Sequence, residues 1–285
     1  MNTPHTYTSH AKVNLGLHIL NKREDGYHNL HSLFVELTLA DQLIFTPDID
    51  FKLSTDCIND IQLPLDDTNL VSRAYKLMRQ EAGAVLFEFA VHLKKVIPPG
   101  SGLGGGSSNA AFTLKALNEL WKLNYSPDKL ELLGAKLGAD VPFFIRGGFQ
   151  LAEGIGEILT PQDDHALHGL HFLLIVPPFH ISTAVAYNTL NKPLCPIENH
   201  SKFVPVLKPM NWQLFDNDFE KVLQKAYPEI GVIKENLRSA GALYTGLSGS
   251  GSTVFGVFNN LQTADSTREY FSRYQTFLTS PVFHS

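Results

Sequence analysis

Three groups of residues in this sequence have types and spacings that could do chemistry. The first is the run Pro98-Pro99-Gly100-Ser101-Gly102-Leu103-Gly104-Gly105-Gly106-Ser107-Ser108-Asn109, with five glycines in the seven positions Gly100 to Gly106. Ordering so many glycines costs conformational entropy. What the chain gains is bare backbone. A strand that runs into glycines and then into a helix leaves N–H groups free at the positive end of the helix, with no Cβ to hold an anion away. Phosphate is the anion that suits such a cradle. The second group is Lys12 and Asn14, two residues apart on a strand and so on one face. The third is Asp140, in Gly138-Ala139-Asp140-Val141-Pro142-Phe143-Phe144, where apolar neighbours limit hydration. Each group also has a plainer reading: a flexible linker, a solvated lysine, a helix or turn cap. Leu103 interrupts the glycines and a well-formed helix pattern follows at once, which argues against a linker. Composition alone favours the solvated lysine, and the two readings of Asp140 stand even.

The glycine run is not a Walker A loop, because Gly105 is followed by Gly106 and Ser107 rather than by Lys-Ser/Thr. Gly100, Gly102 and Gly105 fit G-x-G-x-x-G, the dinucleotide fingerprint. Two prolines separate them from the preceding strand, however, and no second strand ending in an acidic residue follows about 20 residues later. A dinucleotide-dependent oxidoreductase is therefore a poor fit.

These residues must be held by regular elements. In Ala11–Leu20 the residues Ala11, Val13, Leu15, Leu17 and Ile19 alternate with Lys12, Asn14, Gly16 and His18, which predicts a half-buried strand with Lys12 and Asn14 on its non-core face. A second strand is expected over Leu86–Val96. After the glycines, Leu114, Leu117 and Trp121 mark a helix with Ser107 or Ser108 as its N-cap. The next helix has Ser126 as cap, Pro127 at its first position, a stripe of Leu130, Leu133 and Leu137, and Gly138 beyond its end. A soft domain boundary is expected in the polar stretch 161–170, a strand over His171–Val176, and a connection over 191–211. A helix using Ile230, Ile233 and Leu237 follows Pro228 and ends at Gly241. A glycine-punctuated segment, TGLSGSGSTVFGVF, and a final helix with Tyr270, Phe271 and Tyr274 complete the chain.

Composition bounds the rest. The chain has 285 residues, 44% of them hydrophobic, enough for one large domain or two compact ones. With a net charge of −5 and no basic stripe, nucleic acid is not an expected partner. Cys57 and Cys195 have no metal-like spacing and point to a reducing compartment. There is no signal-peptide pattern, and the longest apolar run, Phe172–Val176, is far short of a membrane span. A cytoplasmic, globular protein without membrane partners is expected. The twelve histidines show no repeating metal-ligand spacing.

The run PPGSGLGGGSSNAA resembles the phosphate-binding motif of the GHMP small-molecule kinases. AKVNLGLHILNKREDGYHNLHSLFVEL (11–37) and LGADVPFFIRGGFQLAEGIGE (137–157) resemble, more narrowly, the branch that acts on a cytidine diphosphate conjugate of methylerythritol. LSGSGSTVFGVF (247–258) resembles the superfamily's third glycine motif. The resemblance implies an α+β fold of two domains: an N-terminal domain like that of ribosomal protein S5 over 1–160, and a ferredoxin-like C-terminal domain over 161–285, with the site in the cleft between them. It implies ATP and Mg2+ as cofactors and transfer of a phosphoryl group to the 2-hydroxyl of the methylerythritol unit. The small-molecule partner is then that cytidine conjugate, 4-diphosphocytidyl-2-C-methyl-D-erythritol. By the same resemblance Asp140 is the general base and Lys12 orients it and stabilises charge. ATP is held by Pro99, Gly100, Ser101, Gly102, Leu103, Gly104, Gly105, Gly106, Ser107, Ser108 and Asn109, with Asn69 and Lys95 near the adenosine. Ser107 or Ser108 helps hold magnesium. Asn14 binds the polyol, Tyr27 and His28 take the face and edge of the cytosine, and Tyr187 closes the stack beside Thr183. Gly249 and Gly251 let the third motif approach the diphosphate or the glycine loop. Relatives carry prolines around Thr183 where this chain has Ser182 and Ala184. The alternatives are a GHMP kinase for homoserine or a mevalonate-type substrate, which the DGYH stretch (25–28) argues against, and a nucleotide-binding module without catalysis.

Overall fold

The computed structural model describes residues 3–58, 62–83, 87–190 and 210–284. Most of the predicted 191–211 connection, together with Leu86 and Cys195, lies outside the described residues. The chain forms two compact units, each assembled from separate stretches. The first comprises Met1–Ala11, Ala40–Pro99 and Gly104–Arg146; the second comprises Lys12–Leu39, Gly100–Leu103 and Gly147–Ser285. Strands β1 (His5–Lys22) and β2 (His28–Asp48) are long enough to serve both.

In the first unit the later half of β2 pairs antiparallel with β4 (Glu88–Lys95), from Gln42↔Lys94 to Asp48↔Glu88. β4 pairs in parallel with β3 (Lys52–Cys57), and helix α1 (Leu70–Ala82) connects the two. β4 is the expected second strand. Tyr75 of α1 anchors this layer: its hydroxyl donates to Glu88 Oε2 at 2.8 Å and accepts from Phe89 N at 2.7 Å, while its ring stacks on Phe51. Helix α2 (Gly105–Leu120) buries Ala110, Ala111, Leu114 and Leu117. It begins earlier than the pattern suggested. Gly104, not Ser107 or Ser108, is its N-cap, in a left-handed conformation (φ 69°) that a residue without Cβ takes at little cost. Helix α3 (Pro127–Ala135) has the expected Ser126 cap and first-position proline, and the single-turn helix α4 (Phe143–Arg146) follows.

In the second unit the earlier half of β2 pairs antiparallel with β5 (Phe149–Glu153), and β5 with β6 (Ile158–Pro161). The stretch 161–170 holds a single 3-10 turn, Asp164–Leu167, that leads into β7 (His171–Val176). Helices α5 (Thr183–Thr189), α6 (Asp218–Ala226) and α7 (Glu229–Ser239) follow. Then come β8 (Tyr244–Leu247), β9 (Val254–Phe258), α8 (Leu261–Thr267) and β10 (Gln275–Thr279). The sheet order is β10-β7-β9-β8 with every pair antiparallel, the ferredoxin-like arrangement.

Two further expectations are corrected. β1 is not half-buried: every residue from Ala11 to Leu17 is buried, so the face of Lys12 and Asn14 is covered rather than solvated. The chain does not end in a helix carrying Tyr270, Phe271 and Tyr274. α8 closes in a 3-10 turn over Arg268–Phe271, Tyr274 lies beyond it, and β10 then pairs with β7 from Gln275↔Val176 to Thr279↔Phe172. That tertiary pairing overrides the local pattern. No described helix is long and apolar enough to cross a membrane.

Phe172 is fully buried at the centre of the second sheet, its ring 6.0 Å from that of Phe255. Phe172→Ala removes a whole ring from a close-packed site, and a loss of about 3–5 kcal/mol is expected. Urea unfolding checks it: the midpoint should fall while the slope stays that of the parent.

Candidate active site

The glycine run is held by its carbonyls. In the second unit four consecutive carbonyl oxygens meet partners from elsewhere in the chain. Gly100 O lies 2.9 Å from His180 Nδ1, and Ser101 O accepts from Thr253 N at 3.0 Å. Gly102 O accepts from Ser248 Oγ at 2.8 Å, and Leu103 O from Lys12 N at 3.0 Å. At Gly102 (φ 84°) an added Cβ would fall 2.2 Å from Ser248 O, so only glycine allows the approach. In the first unit Gly104 O takes Ser108 N at 2.9 Å, the first turn of α2. With the acceptors consumed, a helix N-terminus and its preceding loop offer donors, the requirement for holding an anion.

The residues around that helix start differ in access. Pro99 and Gly106 are exposed, and Ser107 is half-buried. Ser108 is fully buried with its hydroxyl 2.8 Å from Ser9 Oγ, which leaves Ser107 as the serine of the pair with access to a ligand. Gly105 sits against Lys95 Nζ and Ile97. Asn109 is buried and donates to Ser9 Oγ and Asp41 Oδ2, both at 2.9 Å. Lys95 donates to the same Asp41 oxygen at 2.5 Å. Burial pulls the Lys95 amine below its ordinary value, and Asp41 opposes that shift. Asn69 caps α1: its Oδ1 accepts from Val71 N at 2.9 Å and its Nδ2 donates to Pro64 O at 2.8 Å. Its neighbour Leu70 lies beside Gly106. Asp140 is part-buried in the turn that ends in Val141 N→Gly138 O (3.1 Å), just before the fully buried Phe143 and Phe144.

In the second unit the β1 side chains form a chain of bonds. Lys12 Nζ donates to Asn14 Oδ1 at 2.7 Å and lies 4.5 Å from the centroid of the Phe34 ring. Asn14 Nδ2 donates to Ser32 Oγ at 2.9 Å, and Ser32 Oγ to Gly16 O at 2.7 Å. Both Lys12 and Asn14 are 3% exposed, so these partners offset a desolvation that would otherwise be costly. Gly249 approaches Asn14: a Cβ there would stand 3.4 Å from Asn14 Oδ1. Gly251 N closes the turn on Ser248 O at 2.9 Å, and Thr183 Oγ1 lies 3.0 Å from Ser250 Oγ.

DGYH forms the turn between β1 and β2. Arg23 N bonds Tyr27 O at 2.8 Å, and Tyr27 N bonds Asp25 Oδ1 at 3.1 Å. Tyr27 is 61% exposed. The His28 ring stacks on Tyr187, centroids 5.0 Å apart and planes 19° from parallel, and Phe219 meets Tyr187 edge-on. Burial, and then the nearby Lys22, hold the His28 pKa below its ordinary value, so the ring is neutral at neutral pH.

Each unit therefore gathers its own set. The second brings together Lys12, Asn14 and Gly249, joins Thr183 to the third motif, and stacks His28 on Tyr187. The first joins Lys95, Gly105 and Asn109. The sequence reading missed the residues that hold these sets in place. Asp41 is a lone carboxylate in an apolar stretch and gave no signal. Asn217, Asp218 and Glu220 did carry one, a helix cap followed by first-turn acids. Asn217 Nδ2 donates to Leu247 O (2.8 Å) and Gly249 O (2.9 Å), Asp218 accepts from Ile19 N, and Glu220 accepts from Leu247 N.

Comparison with known proteins shows the family. Residues 69–148 match the family described as GHMP kinases N terminal domain, and residues 200–275 match GHMP kinases C terminal. A 4-diphosphocytidyl-2-C-methyl-D-erythritol kinase of Chlorobium phaeobacteroides is 42% identical over 268 residues, covering 90% of this chain and 87% of that protein. One of Bacteroides thetaiotaomicron is 42% identical over 261 residues, 90% of this chain and 93% of that protein. Among solved structures, a 4-(cytidine 5'-diphospho)-2C-methyl-D-erythritol kinase superposes with a TM-score of 0.78 at 32% identity, covering 98% of this chain and all of that one. The homoserine kinase of Cytophaga hutchinsonii superposes at 0.76 with 18% identity, a likeness of fold alone. The chain belongs to the GHMP kinases, in the family of the 4-diphosphocytidyl-2-C-methyl-D-erythritol kinases.

Proposed function

We propose that this chain transfers the terminal phosphoryl group of ATP to the 2-hydroxyl of 4-diphosphocytidyl-2-C-methyl-D-erythritol, a step of the non-mevalonate route to isoprenoid precursors. The observation that carries the reading is 42% identity along 90% of the chain with a kinase of that name. The glycine loop, anchored by its carbonyls at the start of α2, supplies the phosphate cradle the reaction needs. We assign the chain to the cytoplasm, acting on a small molecule without nucleic-acid or membrane partners. The family matches fall on either side of residue 160, which supports 1–160 and 161–285 as its N- and C-terminal domains.

Phosphoryl transfer asks mainly for positioning and charge stabilisation. The amides of Gly102 to Ser107 take the phosphates, with Asn69 and Lys95 on the adenosine side. Ser107, the accessible serine, would hold a magnesium ion. When bound, that ion offsets the charge on the phosphates. Asp140 accepts the proton of the attacking hydroxyl, while Lys12 orients it and Asn14 holds the polyol; the pairing of Asp140 with Lys12 rests on the family motif. Tyr27 and Tyr187 take the two faces of the cytosine, with Thr183 as a neighbouring polar contact, and neutral His28 can both donate to and accept from the base edge. Gly249 and Gly251 let the third motif approach the diphosphate or the glycine loop.

A substrate screen scored by ADP release tests the reading. Turnover is expected with the cytidine conjugate and none with homoserine, and the reverse overturns it. In Asp140→Ala, ATP should still bind by calorimetry while turnover drops by roughly two to four orders of magnitude. Tyr187→Ala removes the stacking face. The KM for the cytidine conjugate should rise roughly tenfold, in line with the worth of an aromatic stack, and the KM for ATP should hold within about twofold. His28 sets a pH limit. Its depressed pKa keeps the acceptor nitrogen free above about pH 6.5. The KM for the conjugate should be level from about pH 8 to 6.5 and rise only below that, and His28→Gln should abolish the acid rise.

A further inference from the structure

The buried polar groups of the first unit converge on one carboxylate. Asp41 is fully buried in β2 and receives four donors. Its Oδ1 accepts from Val96 N at 2.7 Å and Ile97 N at 2.8 Å; its Oδ2 accepts from Lys95 Nζ at 2.5 Å and Asn109 Nδ2 at 2.9 Å. Those donors lie on both sides of the glycine run. Lys95, Val96 and Ile97 are the last residues before Pro98-Pro99-Gly100, and Asn109 stands one turn into α2. A relay continues beyond them: Asn109 also donates to Ser9 Oγ, which meets Ser108 Oγ. Lys95 Nζ and Ile97 pack so closely under Gly105 that an added Cβ would lie 2.8 and 2.9 Å from them.

We propose that Asp41 is a positioning residue for ATP, tying the strand that enters the glycine loop to the helix that leaves it and holding Lys95 beneath the first turn of that helix. The proposal rests on the assignment of the glycine run to ATP. A buried carboxylate is tolerated only when its charge and lone pairs are met, and these four donors meet both. The same carboxylate favours the charged form of Lys95 against burial. Loop span and local charge under the helix start therefore depend on one side chain that need not touch the nucleotide.

Asp41→Asn separates the parts. It keeps an oxygen for the Val96 and Ile97 amides but sets an NH2 group against Lys95 and Asn109. ATP affinity is measured by calorimetry on the full chain, with the KM for the cytidine conjugate as internal control. At least a tenfold rise in the Kd for ATP is expected, with the conjugate KM within about twofold and a single cooperative unfolding transition. A folded variant whose Kd for ATP stays within about twofold of the parent overturns the proposal, as does an equal loss for both substrates, which marks a purely structural role. Should Asp41→Asn not fold, Asn109→Ala removes one arm and leaves the charge pair. A threefold or greater rise in the Kd for ATP then supports the proposal, and an unchanged value overturns it. Failure of the parent chain itself to bind ATP would instead sink the function proposed above.

Discussion

The site depends on how a loop of little intrinsic order is immobilised. Four successive carbonyls, Gly100 to Leu103, are met by His180, Thr253, Ser248 and Lys12, and the next, Gly104, starts the helix. Every backbone acceptor that is bound elsewhere is one that no longer turns toward a phosphate, and a main-chain anion site needs that one-sidedness. It also explains the glycines better than flexibility does. At Gly102 the incoming backbone of Ser248 occupies the space a side chain would need. Gly100, Gly102 and Gly105 stand where the backbone is crowded, and Gly104 where it is left-handed.

Around this loop, buried polar groups rather than apolar contacts set the geometry. Lys12, Asn14 and Ser32 run as one bonded chain to Gly16 O. At the start of α6, Asn217, Asp218 and Glu220 take backbone groups of β1, β8 and the third motif, and Lys234 closes on Glu220. Such groups are expensive to bury unless fully partnered, so they tolerate few alternative arrangements. The apolar layers of each unit supply the driving force; these networks fix where individual atoms stand.

The parts legible in the sequence were those with local signatures. The glycine run, the cap and proline of α3 and the alternation of β1 can each be read over a few residues. What escaped reading was non-local. β2 from Leu30 to Leu37 is buried on both faces, so it shows no alternation to detect. β1 alternates in polarity, yet its polar side is covered too, because Lys12 and Asn14 find partners a sequence cannot display. The helix pattern of the last segment lost to pairing with β7. Of the residues proposed for the site, those in local motifs were visible to sequence reading. Asp41 was not, because its four donors come from segments more than fifty residues away along the chain.

The contact between His28 and Tyr187 bears on the cytosine site proposed above. Their centroids are 5.0 Å apart, whereas a ring lodged between two others at van der Waals spacing needs about 7 Å from face to face. The gap between these two rings therefore admits no third ring. On the function proposed, a cytosine stacked on that face of Tyr187 takes the place of the imidazole. Net gain is then a difference between two similar contacts, which leaves the pattern of donors and acceptors on the rim of the base to decide which guests stay.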